Sequence, residues 1–223
     1  MPPDLAPLID HSALAASTSR QDLEQACRAA VEWGVASVCV MPHWVTLCAE
    51  LLRSTPVKVG AAVGFPLGSV LIPSKALEAR LTIERGATEV DFVMNIGAAR
   101  SGDWATTEKD AREVIESVRA MEEEKGFPIL CKMILECCYL TEDEKRRACE
   151  IARALGANFV KTSTGFGSGG ATVADVRLLR EVVGPEMGVK AAGGIRTRDD
   201  ALRMVEAGAT RIGTSSTAAI LGA

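Results

Sequence analysis

Three lysines stand inside apolar runs: Lys132 in "ILCKMIL", Lys161 in "FVKTSTGFG" and Lys190 in "GVKAAGG". A strand buried on both faces is normally a continuous apolar run, and an ammonium placed there is costly without a partner or a task. Two aspartates, Asp10 in "LIDHS" and Asp91 in "EVDFV", sit in similar company. Two ammonium groups about 5 Å apart repel by about 3 kcal/mol at an effective dielectric of about 20. Together with burial, that could bring one lysine from about 10.4 to near 7. A free amine attacks a carbonyl and forms an imine, a charged neighbour tunes it, and a carboxylate such as Asp91 passes protons through water. The constellation therefore suits imine chemistry on a carbonyl substrate.

The elements that must position these groups form one recurrent phrase. A helical stretch ends in Gly, a small residue follows, and a short apolar run begins: "EWGVASVCV", "ERGATEVDFV", "ALGANFV" and "EAGATRIG". Glycines 34, 86, 156 and 208 suit left-handed helix caps, and the runs after them suit buried strands. Thr141 with Glu144 reads as a capping box, and Thr172 with Asp175 and Thr197 with Asp200 as variants. The pattern predicts strands near 7–10, 36–41, 57–63, 88–94, 129–135, 158–162, 187–191 and 210–213. It predicts helices near 20–33, 43–53, 73–85, 104–125, 141–155, 172–183, 197–207 and 216–221. Eight strands alternating with eight helices call for an α/β fold, a parallel (β/α)8 TIM barrel, as a single domain over 1–223. A doubly wound open sheet is the alternative, but no G-x-G-x-x-G opens the first unit.

In a closed barrel, polar side chains near strand ends belong to the C-terminal mouth. A lone strand lysine would ordinarily run its stem to water, but a closed sheet offers no edge. Glycine-rich stretches follow the last three strands: "STGFGSGGAT" (163–172), "AAGGIRT" (191–197) and "GTSS" (213–216). Backbone amides exposed by glycine make an anion cradle, and Gly193, Gly194, Ser215 and Ser216 converge where barrels often hold phosphate.

Composition bounds the function. Of 223 residues, 48% are hydrophobic and 24% charged, and the net charge is −4 without a basic block, so nucleic acid is not an expected partner. No apolar run reaches the roughly 20 residues of a membrane helix, and no secretion signal is expected at the N-terminus. Seven cysteines in apolar contexts, an odd number without C-x-x-C, read as reduced thiols in a cytoplasm. Two histidines, His11 and His43, form no metal-ligating spacing, so no metal or other cofactor is expected.

The sequence resembles the deoxyribose-phosphate aldolase family. The matching segments run in order through nearly the whole chain: "IDHSAL", "SVCVMP", "VGFPLG", "EVDFVMNIG", "CKMILE", "NFVKTSTGFGSGGAT", "GVKAAGGIRT" and "RIGTSS". The resemblance implies a metal-independent class I aldolase of deoxynucleoside catabolism. It would reversibly cleave 2-deoxy-D-ribose 5-phosphate to D-glyceraldehyde 3-phosphate and acetaldehyde. It implies Lys161 as the Schiff-base lysine, Lys190 as the neighbour that lowers its pKa and shares in proton transfer, and Asp91 as proton donor and acceptor. It implies that Lys132 and Asp10 support the pocket and a substrate hydroxyl. Thr164, Gly165, Gly193, Gly194, Ser215 and Ser216 would hold substrate and phosphate. Cys39 matches a pocket cysteine without a role in the chemistry, and a homodimer is implied.

The chain departs from the family pattern at Ala15 and Ala16, where Lys-Pro commonly follows "DHTLL", at Met41, where Tyr or Asn is more usual, and at Ala192, where serine is usual. The one tyrosine is Tyr139 and the sequence ends at Ala223, so no tail tyrosine is expected to assist. Two other readings are an imine-forming barrel aldolase for a different phosphosugar or keto acid, and a phosphate-ligand binding protein that lost catalysis. A thiol-dependent enzyme ranks below both, because no base pattern flanks the cysteines.

Overall fold

Helix caps and buried apolar runs set the period of this chain. In the computed structural model, which describes residues 4–223, that period closes into a barrel of eight parallel strands in the order β1 to β8. The first half runs β1 (Ile9–Ala13), α1 (Arg20–Trp33), β2 (Ser37–Val40), α2 (Val45–Leu52), β3 (Lys58–Val63), α3 (Ile72–Glu84) and β4 (Glu89–Val93). It continues through α4 (Ile96–Arg100), α5 (Trp104–Lys125), β5 (Leu130–Ile134), α6 (Glu142–Leu155) and β6 (Phe159–Lys161). It ends with α7 (Val173–Val183), β7 (Gly188–Ala192), α8 (Arg198–Glu206), β8 (Arg211–Thr214) and α9 (Thr217–Leu221). The (β/α)8 reading is thus borne out.

The caps explain the boundaries. Full capping boxes start α1 at Ser19, α6 at Thr141 and α8 at Thr197, while Thr172 accepts only from the Asp175 backbone at the start of α7. Gly34 and Gly156 cap α1 and α6 with φ of 66° and 75°, a left-handed conformation that costs a side-chain-bearing residue about 1–2 kcal/mol. Two boundaries differ from expectation. Residues 6–8 form a single 3-10 turn with Pro7 in it, so β1 begins at Ile9 and runs to Ala13. The five-residue α4 lies in a stretch read as loop, and it forms because the Asn95 side chain accepts from the Ala98 backbone N–H. Five residues are too few to show a helical period.

The strands divide the interior by parity. Side chains such as Val38, Val90, Phe92, Val160, Val189 and Ile212 face the helices and form the main apolar core. Each fully buried one contributes about 2 kcal/mol. The alternate positions face the barrel axis, and they are mostly small or charged. An apolar cluster of Leu14, Cys39 and Ala62, with Met41 and Phe65 against it, lines part of that axis. The rest is occupied by ions.

Candidate active site

Cross-strand register brings the charges together. Asp91 lies beside Lys132 on the β4–β5 pair, and Lys161 beside Lys190 on β6–β7. Contacts then cross the barrel axis. Asp91 receives three ammonium groups: Lys132 Nζ at 2.8 Å on Oδ1, and Lys161 and Lys190 at 2.9 and 2.7 Å on Oδ2. Lys190 Nζ also lies 2.5 Å from Asp10 Oδ2, and Lys132 Nζ lies 2.5 Å from Glu89 Oε2. Arg211 closes the network at the first residue of β8, 2.6 Å from Asp10 Oδ1 and 3.4 Å from Glu89 Oε1. Ser37 Oγ donates to Asp10 at 2.7 Å. Gly213 makes the room: a Cβ there would meet Lys190 Cε at 3.0 Å and Ala192 Cβ at 2.9 Å.

The electrostatics follow from this packing. Burial opposes the charges of Asp10, Asp91, Lys132, Lys190 and Arg211, but opposite charges at contact distance outweigh it. Asp91 is held well below the carboxylate range by Lys132, Lys161 and Lys190 despite full burial. Asp10 is lowered likewise by Lys190, Lys132 and Arg211. Burial pushes Lys190 down, yet Asp10 and Asp91 together hold it above its ordinary value, and Lys132 is raised by Asp91, Glu89 and Asp10. Lys190 and Lys132 are therefore cations near neutral pH. Four cations (Lys132, Lys161, Lys190 and Arg211) meet three carboxylates (Asp10, Glu89 and Asp91). The network holds one positive charge more than its anions can match.

Above it opens a cavity of about 600 Å³ at the C-terminal ends of the strands. Of the seven charges only Lys161 lines it, at 2% exposure, and Asp91, Lys190, Lys132 and Asp10 lie beneath the floor. Thr164, Gly165, Gly193, Gly194, Ser215 and Ser216 line the same cavity, as the glycine-rich stretches predict. Gly170 and Gly193 hold two loops backbone to backbone: a Cβ on Gly170 would sit 2.3 Å from the Gly193 oxygen, which accepts from Ala171 N–H at 3.0 Å. The Ser216 backbone N–H donates to Thr214 Oγ1 at 2.9 Å, so what Ser216 can offer a ligand is its hydroxyl. Cys39 lies in the barrel interior with its thiol pushed up to about 11 by burial, which keeps it a poor nucleophile. The departures Ala15, Ala16 and Ala192 all line the cavity, whereas Tyr139 does not.

Three residues escaped the sequence reading. Glu89 and Arg211 each carried a signal: Glu89 is two residues before Asp91, hence on the same strand face, and Arg211 is paired in register with Lys190. Glu136 is the third. It follows β5 with φ of 57°, in the left-handed region, and is buried. Its carboxylate accepts from both the backbone and the hydroxyl of Thr164, and Thr164 Oγ1 accepts in turn from Phe166 N–H at 3.0 Å. Glu136 thereby fixes the loop that forms one cavity wall. Its only sequence signal is an acid closing an apolar strand run.

An amine at the floor of a cavity whose far corner is glycine backbone and serine can bind a small carbonyl compound that carries an anion. Comparison with known proteins agrees. The model of the DeoC/LacD family aldolases matches residues 5–222. The chain is 52% identical to the deoxyribose-phosphate aldolase of Thermococcus gammatolerans, over 96% of this chain and 93% of that one. It is 50% identical to deoxyribose-phosphate aldolase 1 of Bacillus licheniformis, over 99% and 96%. The tetrameric deoxyribose phosphate aldolase of Aeropyrum pernix superposes with a TM-score of 0.88 at 33% identity, covering 100% of this chain and 91% of that one. With residues 5–222 matched and half the positions shared with named aldolases, the chain belongs to the DeoC/LacD family of aldolases.

Proposed function

We propose that this aldolase cleaves 2-deoxy-D-ribose 5-phosphate reversibly to D-glyceraldehyde 3-phosphate and acetaldehyde, through an imine on Lys161. The observation that carries the reading is that Lys161 alone joins the charge network to the cavity. Loss of one proton would leave three cations against three carboxylates. Lys161 gives up least by losing it, having one carboxylate contact where Lys190 has two and Lys132 three.

The free Lys161 amine attacks the C1 aldehyde of the open-chain sugar, and water leaves to give an iminium. Asp91, 2.9 Å from that nitrogen, stabilises the positive charge the nitrogen then carries. The C3 hydroxyl gives up its proton, the C2–C3 bond breaks, and its electron pair moves into the iminium to form an enamine. Glyceraldehyde 3-phosphate departs, C2 takes a proton, and water releases acetaldehyde and Lys161. We assign to Asp91 and Lys190 the passage of the proton that leaves the hydroxyl and returns to C2. Lys132 and Asp10 hold those two groups in place from beneath rather than touching the sugar. Gly165, Gly193, Gly194, Ser215 and Ser216 receive the phosphate, and Thr164 shapes the adjoining wall. A reducing cytoplasm suits the seven unpaired thiols, and a homodimer is the assembly we assign.

Incubation with acetaldehyde and borohydride, followed by peptide mapping, should place an ethyl group on Lys161. An unmodified Lys161 in native protein would overturn the assignment, and a coupled assay with 2-deoxyribose 5-phosphate tests the substrate.

A further inference from the structure

We propose that Glu89 and Arg211, at the end of the barrel opposite the cavity, set the pH at which the lysine cluster gives up its unmatched proton. This rests on the imine reading above. Glu89 and Arg211 are the first residues of β4 and β8, whereas the cavity opens at the last. Neither reaches a substrate. Both are nonetheless wired to the nucleophile: Glu89 through Lys132 to Asp91 and then Lys161, and Arg211 through Asp10, Lys190 and Asp91 to Lys161. Arg211 is further held 5.6 Å over the Phe159 ring, which keeps its guanidinium at the axis.

The charge count makes the two residues antagonists. The cluster exchanges protons as a unit, because its members share carboxylates. Glu89 supplies one of three anions and Arg211 one of four cations. Without the Glu89 charge the cluster would hold two unmatched positive charges and release a proton more readily. Without the Arg211 charge it would hold none and keep its protons longer. Few other groups face the cluster. Cys39 from β2 is an uncharged thiol at neutral pH, and β3 adds Gly60 and Ala62, with Lys58 exposed at its start. Glu136 is taken up by Thr164. His11, Asp22 and Arg196 line the cavity above, with His11 bound to Thr217 Oγ1 at 2.8 Å and the other two exposed. Within the buried axis, removing the far-end charges therefore leaves no other buried ion to compensate.

Glu89 and Arg211 are positioning residues, and their signature is a pH profile. The rate of ethyl transfer to Lys161 from acetaldehyde and cyanoborohydride would be followed against pH in native protein and in Glu89→Gln, Arg211→Met and Arg211→Lys. Acetaldehyde carries no titrating phosphate. A unit charge about 10 Å away at an effective dielectric of about 20 moves the midpoint by about one pH unit. Glu89→Gln should move it down by that amount, Arg211→Met should move it up, and Arg211→Lys should leave it near the native value. If a single variant fails to fold, as read by circular dichroism, Glu89→Gln/Arg211→Met decides: it keeps one unmatched cation and should return the native midpoint. Midpoints that stay put, or shift the same way in both single variants, or stay displaced in the double variant, overturn the inference. An absence of any Lys161 adduct in native protein would instead overturn the imine reading.

Discussion

Among the described residues, this barrel buries two lysine–carboxylate clusters, and they are built on opposite plans. Lys75, on α3, is fully buried and binds Asp110 on α5 at 2.6 Å, with two carbonyls, Gly68 and Val93, at 2.8 Å each. Asp110 also accepts from Asn95 N–H at 3.0 Å. One cation meets one anion, and the site ties the loop after β3 to the end of β4. Burial dominates there, pulling Lys75 down and pushing Asp110 up. In the barrel axis the opposite holds: contacts outweigh burial, and one cation stays unmatched beside a cavity. Contact distances of 2.5–2.9 Å and lysines buried to 2% exposure or less are common to both clusters. Charge stoichiometry and access to a cavity are what separate the clamp from the proposed nucleophile.

Four experiments would break or sharpen that contrast. Lys161→Leu should lower aldolase turnover by at least about 10,000-fold and leave the melting temperature unchanged or higher, because the axis then holds three cations and three anions. Turnover near native would mean that another amine forms the imine. Lys75→Met should do the reverse, costing about 3–5 kcal/mol of stability, or roughly 10 °C or more in Tm, while folded molecules keep their kcat. A melting temperature equal to native would show that the clamp is idle. Lys75→Met/Asp110→Leu should recover only part of that loss, since the Asn95 N–H then lacks its acceptor, at about 1–3 kcal/mol.

Acid gives the smallest signal. Asp10 and Asp91 are held below the ordinary carboxylate value, so their stabilisation is complete above about pH 4 and drains as pH falls through their folded values. Asp10→Asn should flatten the acid limb of a Tm–pH curve. Asp110, held high, contributes with the other sign, its stabilisation lost as pH rises through its folded value, so Asp110→Asn should leave that acid limb standing.

The same contrast explains what was legible beforehand. Lys132, Lys161 and Lys190 announce themselves because a buried strand is uniformly apolar and each ammonium breaks the run. Lys75 does not, because lysine is ordinary in a helix such as "IPSKALEARLTIE", and its partner lies 35 residues away. Strand count, barrel closure and the glycine-lined corner follow from caps and runs that repeat locally. Glu89 and Arg211 sit at the first positions of their strands, where polar residues pass for strand boundaries. Glu136 depends on a single left-handed residue, and no spacing rule marks that. The resemblance places Asp10 in the pocket, whereas the register of β1 between β2 and β8 buries it beside Lys190, beneath the cavity floor.

Asp91 and Lys190 are fully buried in the barrel axis, and their network meets solvent at its two ends, through Lys161 at the cavity and a part-exposed Arg211 at the far end. Dissolved salt screens over roughly 8 Å at physiological strength, and buried charges such as Asp91 and Lys190 are screened much less than exposed ones. The exposed rim, with Arg196 and Gly194, is fully open to dissolved ions. Raising potassium chloride would thus weaken capture of the sugar dianion while the captured molecule reacts at an unaltered rate, so that concentration of substrate can restore what brine removes.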